Sequence, residues 1–300
     1  MTDSNSNARS VSEATSYLST LERAIRDVGR ELTHVHPVLH ESIERLWEGY
    51  IFAYAYAVSR IHARRYAHHT SLDPFAVARV NPARITRTVE QDGYPEQARS
   101  ENIFPTPKFK YAGTVRDGDW DRGGMCFEDT ELYRSFEAHF ERGVDWEETP
   151  FFETVVELIE AGTVMWGCSS QEEFERRCVR IDDLHQTIAT HGYHSQAELS
   201  AQGIEDPAGC ESSRIVRLVN HEMTVAVGRD GGLLFVDGRN RLAIAKVLDL
   251  DSIPVWIPVR HAQWQQYRER LATDPSQCSD LPYRLRTHPD LTEICSDETD

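Results

Sequence analysis

Residues 222–259 read EMTVAVGRDGGLLFVDGRNRLAIAKVLDLDSIPVWIPV, and the order of parts within them decides the fold. MTVAVG (223–228) and LLFV (233–236) are short apolar runs rich in strand formers. The RDGG between them (229–232) carries the Asp-Gly and Gly-Gly pairs that fold one strand back on the next. LLFV stops at DGRN (237–240), a tight loop into a helical pattern over 241–250. IPVWIPV (253–259) follows as a buried strand with Pro258 near its end. Hairpin, loop, helix and strand in that order predict an α+β (α/β) domain with a small mixed sheet and surrounding helices.

Upstream, VARVNPARITRTV (77–89) alternates like a strand interrupted at Asn81-Pro82, and KFKYAGTV (108–115) reads as another. Helical patterns cover 130–140, 150–160 and 171–192. Residues 1–15 form a polar lead, and 16–70 a helical extension in which Pro37 separates two helices. The second, over 39–69, is aromatic and apolar first and basic after. That pattern suits either a core helix with a solvated end or an interfacial helix contacting a membrane or a partner protein. Ser71-Leu72-Asp73-Pro74 marks the junction to a domain over 71–262, and 263–300 reads as a C-terminal helix and a peripheral polar tail.

The chain has 300 residues and 40% hydrophobic content, enough for a real core. Its 49 Asp and Glu against 32 Lys and Arg give a net charge of −17, spread along the chain. A protein that coats duplex nucleic acid would carry the opposite sign, so nucleic acid is not an expected partner. All but three of the cations are arginines, the lysines being Lys108, Lys110 and Lys246. An acidic, lysine-poor surface suits molar salt, where screening acts over about 3 Å, and reads first as a halophilic signature.

Six cysteines lie apart with no C-x-x-C pair, which excludes a zinc knuckle or dithiol motif; most are expected as small buried thiols. The polar start has no signal-peptide core, and residues 46–61 are too short and too charged to span a bilayer, so a cytoplasmic location is expected.

The chemistry concentrates at Asp237-Gly238-Arg239-Asn240-Arg241. Open N–H groups at a helix start, the positive end of the helix dipole and two guanidinium forks together make an anion site. Cations placed there oppose the dipole unless an anion neutralises them. Gly238 permits close approach or positive φ, and Asp237 can cap the helix or share a metal ion with bound phosphates. An ordinary helix start whose arginines pair with local carboxylates fits the same residues.

The segment F-x-D-G-x-x-R-L-A-x-A-x-x-L at 235–248, between hairpin and IPVWIPV, resembles the phosphate-binding element of the ParB/sulfiredoxin-like superfamily over 222–259. The resemblance implies that fold for 71–262. Sulfiredoxins place a reactive cysteine in the motif, where this chain has Arg239-Asn240. ParB partition proteins add a helix-turn-helix reader and a basic face, which this chain does not show. By elimination the resemblance points to the free-serine-kinase branch and implies a nucleotide, ATP, ADP or CTP with Mg2+, held by Gly238, Arg239, Asn240 and Arg241. Asp237 would be the metal ligand or assist catalysis.

Phosphoryl transfer also needs a group to orient and deprotonate the acceptor. Asp119, within Asp117-Gly118-Asp119-Trp120-Asp121, and Glu222 are the candidates, although the Asp/Gly-rich loop also reads as a solvated turn. Trp120 reads either as a stacking platform for a base or as core. His34, His36 and His40 imitate metal spacing, but Pro37 disrupts it. The expected function is therefore nucleotide-dependent phosphotransfer to a small hydroxylated substrate. The alternatives are a non-catalytic nucleotide- or anion-sensing module and a ParB-like nucleic-acid-associated protein or nuclease.

Overall fold

A computed structural model describes residues 37–65, 70, 72–89, 108–204 and 214–295. The expected helix over 16–32, together with His34 and His36, lies outside the described residues. Two compact units result, Met1–Ile51 and Phe52–Asp300. Helix α1 (Pro37–Arg65) starts at the proline expected to separate two helices, as a first-turn position that needs no amide donor allows. In the first unit Trp47 and Tyr50 stack at 5.4 Å. The second unit holds the sheet and the candidate site.

Within that unit, Ala55 and Ser59 of α1 are buried, and the Ser59 hydroxyl donates to the Leu72 carbonyl at 2.6 Å. Phe52 and Ile61 on the same helix stay exposed. Among the described residues no helix is long and apolar enough to cross a membrane.

Six strands form one mixed sheet: β1 (Val77–Val80), β2 (Ile85–Thr88), β3 (Thr114–Arg116), β4 (Thr224–Val227), β5 (Leu233–Asp237) and β6 (Ile253–His261). Their order is β1-β6-β4-β5-β2, with β3 also on β6. Asn81 caps the short 3₁₀ turn Pro82–Arg84 that separates β1 from β2, where the sequence is interrupted. KFKYAGTV becomes a strand only from Thr114, because Lys108–Tyr111 form a 3₁₀ turn that buries Phe109 and Tyr111.

All nine residues of β6 are buried, as a continuous apolar run requires. Its prolines sit where β6 has no paired β4 residue. Pro254 precedes the first β4 partner, Trp256, and Pro258 falls at the β4 register shift, where the opposite edge passes from antiparallel β1 to parallel β3.

Alternate sheet residues serve two cores. Val225, Val227, Leu233, Phe235 and Val255 join the cluster that includes helices α2 (Glu131–Arg142), α3 (Pro150–Glu160), α4 (Gln171–His191) and α7 (Arg239–Val247). Ala226, Leu234 and Val259 face the other way, onto Tyr111 and Trp120. Trp120 is thus core. Two shorter helices, α5 (Gln196–Gln202) and α6 (Arg214–His221), lead into β4.

The C-terminal segment corrects the expectation of a peripheral tail. Beyond α8 (Ala262–Thr273) come two short helices, α9 (Tyr283–Arg286) and α10 (Thr292–Cys295), and Leu281 before α9 and His288, Asp290 and Leu291 between the two are all buried. Asp290 accepts Arg260 Nε at 2.9 Å and Trp264 Nε1 at 2.8 Å, and Arg268 lies 3.3 Å away. Burial alone would raise its carboxyl pKa, but the two guanidinium groups hold it below the usual range. Most polar residues of this segment are exposed, and the buried charge of Asp290 is satisfied internally. Cys278 and Cys295 form a disulfide with Cα atoms 5.6 Å apart, whereas Cys168 and Cys178 are buried thiols as expected. Residues 17 apart in sequence meet because the segment folds back, which linear spacing does not reveal.

Candidate functional site

Thr224 pairs with Asp237, so the residues entering β4 and those leaving β5 meet at one end of the hairpin. Gly238 there has φ +98°, and a Cβ on it would lie 3.0 Å from Met223 Cγ and 3.1 Å from Met223 Cα. Glycine is required on both counts. It caps α7 without a side-chain hydrogen bond of its own.

Asp237 is engaged on both oxygens. Oδ1 accepts the Gly238 N–H at 2.8 Å, and Oδ2 forms an ion pair with Lys108. Burial pushes this carboxyl up, but Lys108, Arg239 and the Gly238 N–H outweigh it and hold it below the ordinary value. This geometry suits a counter-ion for lysine better than a metal ligand. Among the described residues no group of three or more His, Cys, Asp or Glu is placed to hold a metal ion.

Arg239 and Arg241 do not form a joint clamp. Two residues apart on a helix, they point about 200° from each other. The Arg239 guanidinium lies 4.8 Å from the Trp166 ring centroid, and Arg177 approaches the same ring at 5.7 Å. Trp166 has φ +49°, in a turn closed by the Cys168 N–H donating to the Met165 carbonyl at 2.8 Å. Arg241 turns the other way and donates to the His221 carbonyl at 2.8 Å. Asn240, between them, is half-buried.

Glu222 lies directly before Met223, at this same end. It is 2% exposed, and its Oε2 accepts the Gln196 N–H at 2.8 Å. Burial raises its carboxyl to about 7, against the lowering pull of Gln196, Arg241 and the Met223 N–H. A group that exchanges its proton near neutrality beside a cation has the chemistry of a general base or acid.

Asp119 is not brought to this place. It lies with Asp121 at the turn end of the hairpin, where Arg229 Nη2 binds Asp119 at 2.8 Å and Asp121 at 2.6 Å. The length of β5, about 13 Å, separates that end from Asp237. The Arg229 N–H also donates to the enclosed Asp121 carboxylate at 2.8 Å, which latches the loop to the hairpin, while Asp117, Gly118 and Asp119 stay exposed as in a solvated turn.

Lys108 was not singled out by the motif, since it lies far upstream in sequence. The signal was compositional: in a chain with three lysines, two of them, Lys108 and Lys246, form ion pairs with side chains only 12% and 4% exposed. Trp166 gave no sequence signal beyond a neighbouring glycine. No protein-family model, curated protein or solved structure matches the chain.

Proposed function

We propose that this chain is a nucleotide-binding protein of the ParB/sulfiredoxin-like kind that transfers a phosphoryl group to a small hydroxylated substrate. The observation that carries the reading is that Lys108, paired with Asp237, stands at the start of α7, whose first turn carries Arg239 and Arg241, in a chain of net charge −17. Cations concentrated against the dipole and against the overall charge are accounted for by an anionic ligand. A phosphate chain along the helix start would meet Arg239 on one side and Arg241 on the other, so their divergence suits a di- or triphosphate better than a single phosphate.

In the transfer, the substrate hydroxyl oxygen bonds to the terminal phosphorus. The bond from that phosphorus to the bridging oxygen breaks, the shortened nucleotide leaves, and the hydroxyl proton passes to Glu222. The nearly neutral carboxyl of Glu222 supports this role, which Asp119 is too distant to share. Asp237 orients Lys108. The acidic, arginine-dominated surface is part of the same proposal, as adaptation to high salt. Calorimetric titration with ATP, ADP, CTP and GTP, with and without magnesium, tests the reading: saturable binding that Arg241→Ala weakens supports it, and no binding of any nucleotide refutes it.

A further inference from the structure

The two sulfurs of the Cys278–Cys295 bridge differ in access. Cys278 lies in the 3₁₀ turn Pro275–Asp280, is 4% exposed and belongs to the same core cluster as Leu271 and Leu281. Cys295 ends the four-residue α10, is half-buried and follows the exposed Thr292 and Glu293. A single turn of helix has little stability of its own, so local opening of α10 admits a small thiol to Cys295. Reaching Cys278 requires opening the core.

The loop between the cysteines does not depend on their bond to stay in place. Asp290 accepts Arg260 Nε at 2.9 Å and Trp264 Nε1 at 2.8 Å, and His288 Nε2 donates to the Gly231 carbonyl at 3.0 Å. Arg84, from the turn between β1 and β2, donates to the Thr287 and Arg284 carbonyls at 2.9 Å each, and Leu281 and Leu291 are buried. These contacts tie the loop to α8, to β6 and to two sheet turns. After reduction the two thiols therefore stay near each other, their Cα atoms being 5.6 Å apart in the bridged form, and closure is an intramolecular step.

We propose that Cys278 and Cys295 form a reversible thiol–disulfide couple, with Cys295 as the site where a small external thiol enters and Cys278 as the buried resolving cysteine. In reduction the external thiolate bonds to Cys295 Sγ, the Sγ–Sγ bond breaks, and Cys278 leaves as a thiolate that takes up a proton. A second external thiolate attacks the external sulfur of the mixed disulfide, freeing Cys295 and releasing the oxidised external disulfide. The chain has then gained two electrons and two protons. In reoxidation the Cys295 thiolate attacks a small external disulfide and expels one thiolate; Cys278, as a thiolate, attacks Cys295 Sγ and expels the other. The nucleotide reading plays no part in this couple.

The test equilibrates the native full chain with glutathione and oxidised glutathione, then alkylates it and digests it with trypsin, which places Cys278 in fragment 271–284 and Cys295 in fragment 287–300. The crosslinked pair of fragments is expected to disappear in excess glutathione and to return in excess oxidised glutathione. With oxidised glutathione, Cys278→Ala should carry glutathione on 287–300, and Cys295→Ser should be modified on 271–284 at least tenfold more slowly. Hydrogen exchange at the His288 and Leu291 amides, which donate to the Leu285 and His288 carbonyls, should stay slow in the reduced chain. A crosslink that yields to glutathione only after urea is added, equal modification rates in the two variants, or loss of that amide protection on reduction overturns the proposal. The parent chain decides reversibility even where a variant does not fold.

Discussion

Replacing Glu222 by glutamine keeps the side chain's shape and an oxygen for the Gln196 N–H, removes the ability to ionise, and turns the second oxygen into an amide donor. In the folded chain this carboxyl titrates at about 7, against an ordinary 4.5. Between those values the folded state holds a proton that the unfolded chain has released, so stability falls as pH rises through that window. At about 1.4 kcal/mol per pH unit, the full displacement costs about 3 kcal/mol once pH exceeds 7. Glu222→Gln escapes that cost. Urea unfolding of both proteins from pH 4.5 to 8.5 should show near-equal stability at the acid end. The variant should then gain progressively, levelling at up to about 3 kcal/mol above neutrality. A difference independent of pH, or a variant less stable than the parent at pH 8.5, would refute the assignment of Glu222 as a buried, proton-exchanging carboxyl.

Gly238→Ala should destabilise by about 1–3 kcal/mol, read from the shift in denaturation midpoint, because alanine must accept φ +98° and a Cβ 3.0 Å from Met223 Cγ. Asp290→Ala leaves Arg260 and Arg268 buried without their shared carboxylate and should cost about 3–5 kcal/mol in the same measurement. If the surface charge reflects salt adaptation, the melting temperature should rise steeply between dilute buffer and molar potassium chloride, where screening reaches about 3 Å; a flat profile would refute that reading.

The hairpin, the loop at Asp237-Gly238 and β6 were legible because strand alternation, Asp-Gly turns and helix starts are local signals. Thr130, Thr149 and Ser170 likewise announce α2, α3 and α4, and each accepts an N–H of the first turn. The buried C-terminal segment was not legible, since its cohesion comes from Asp290 meeting two arginines from β6 and α8. A polar residue in sequence carries no mark of a distant partner. At the site, Asp237, Gly238 and Glu222 came together because β4 and β5 are adjacent in both sequence and space. Lys108 enters from elsewhere. The divergence of Arg239 and Arg241 was implicit in their spacing of two, but their separate partners, Trp166 and His221, follow only from tertiary packing.

On the proposed reading, Lys108, Arg239 and Arg241 hold a nucleotide at the start of α7. Isothermal calorimetry of the full chain with ATP and magnesium tests it most directly, alongside Lys108→Ala and Arg241→Ala. Saturable binding to the parent is expected, with at least tenfold weaker binding to each variant, about 1.4 kcal/mol or more per lost charge-assisted contact. Absence of binding to the parent, or equal affinity in all three proteins, would contradict that reading.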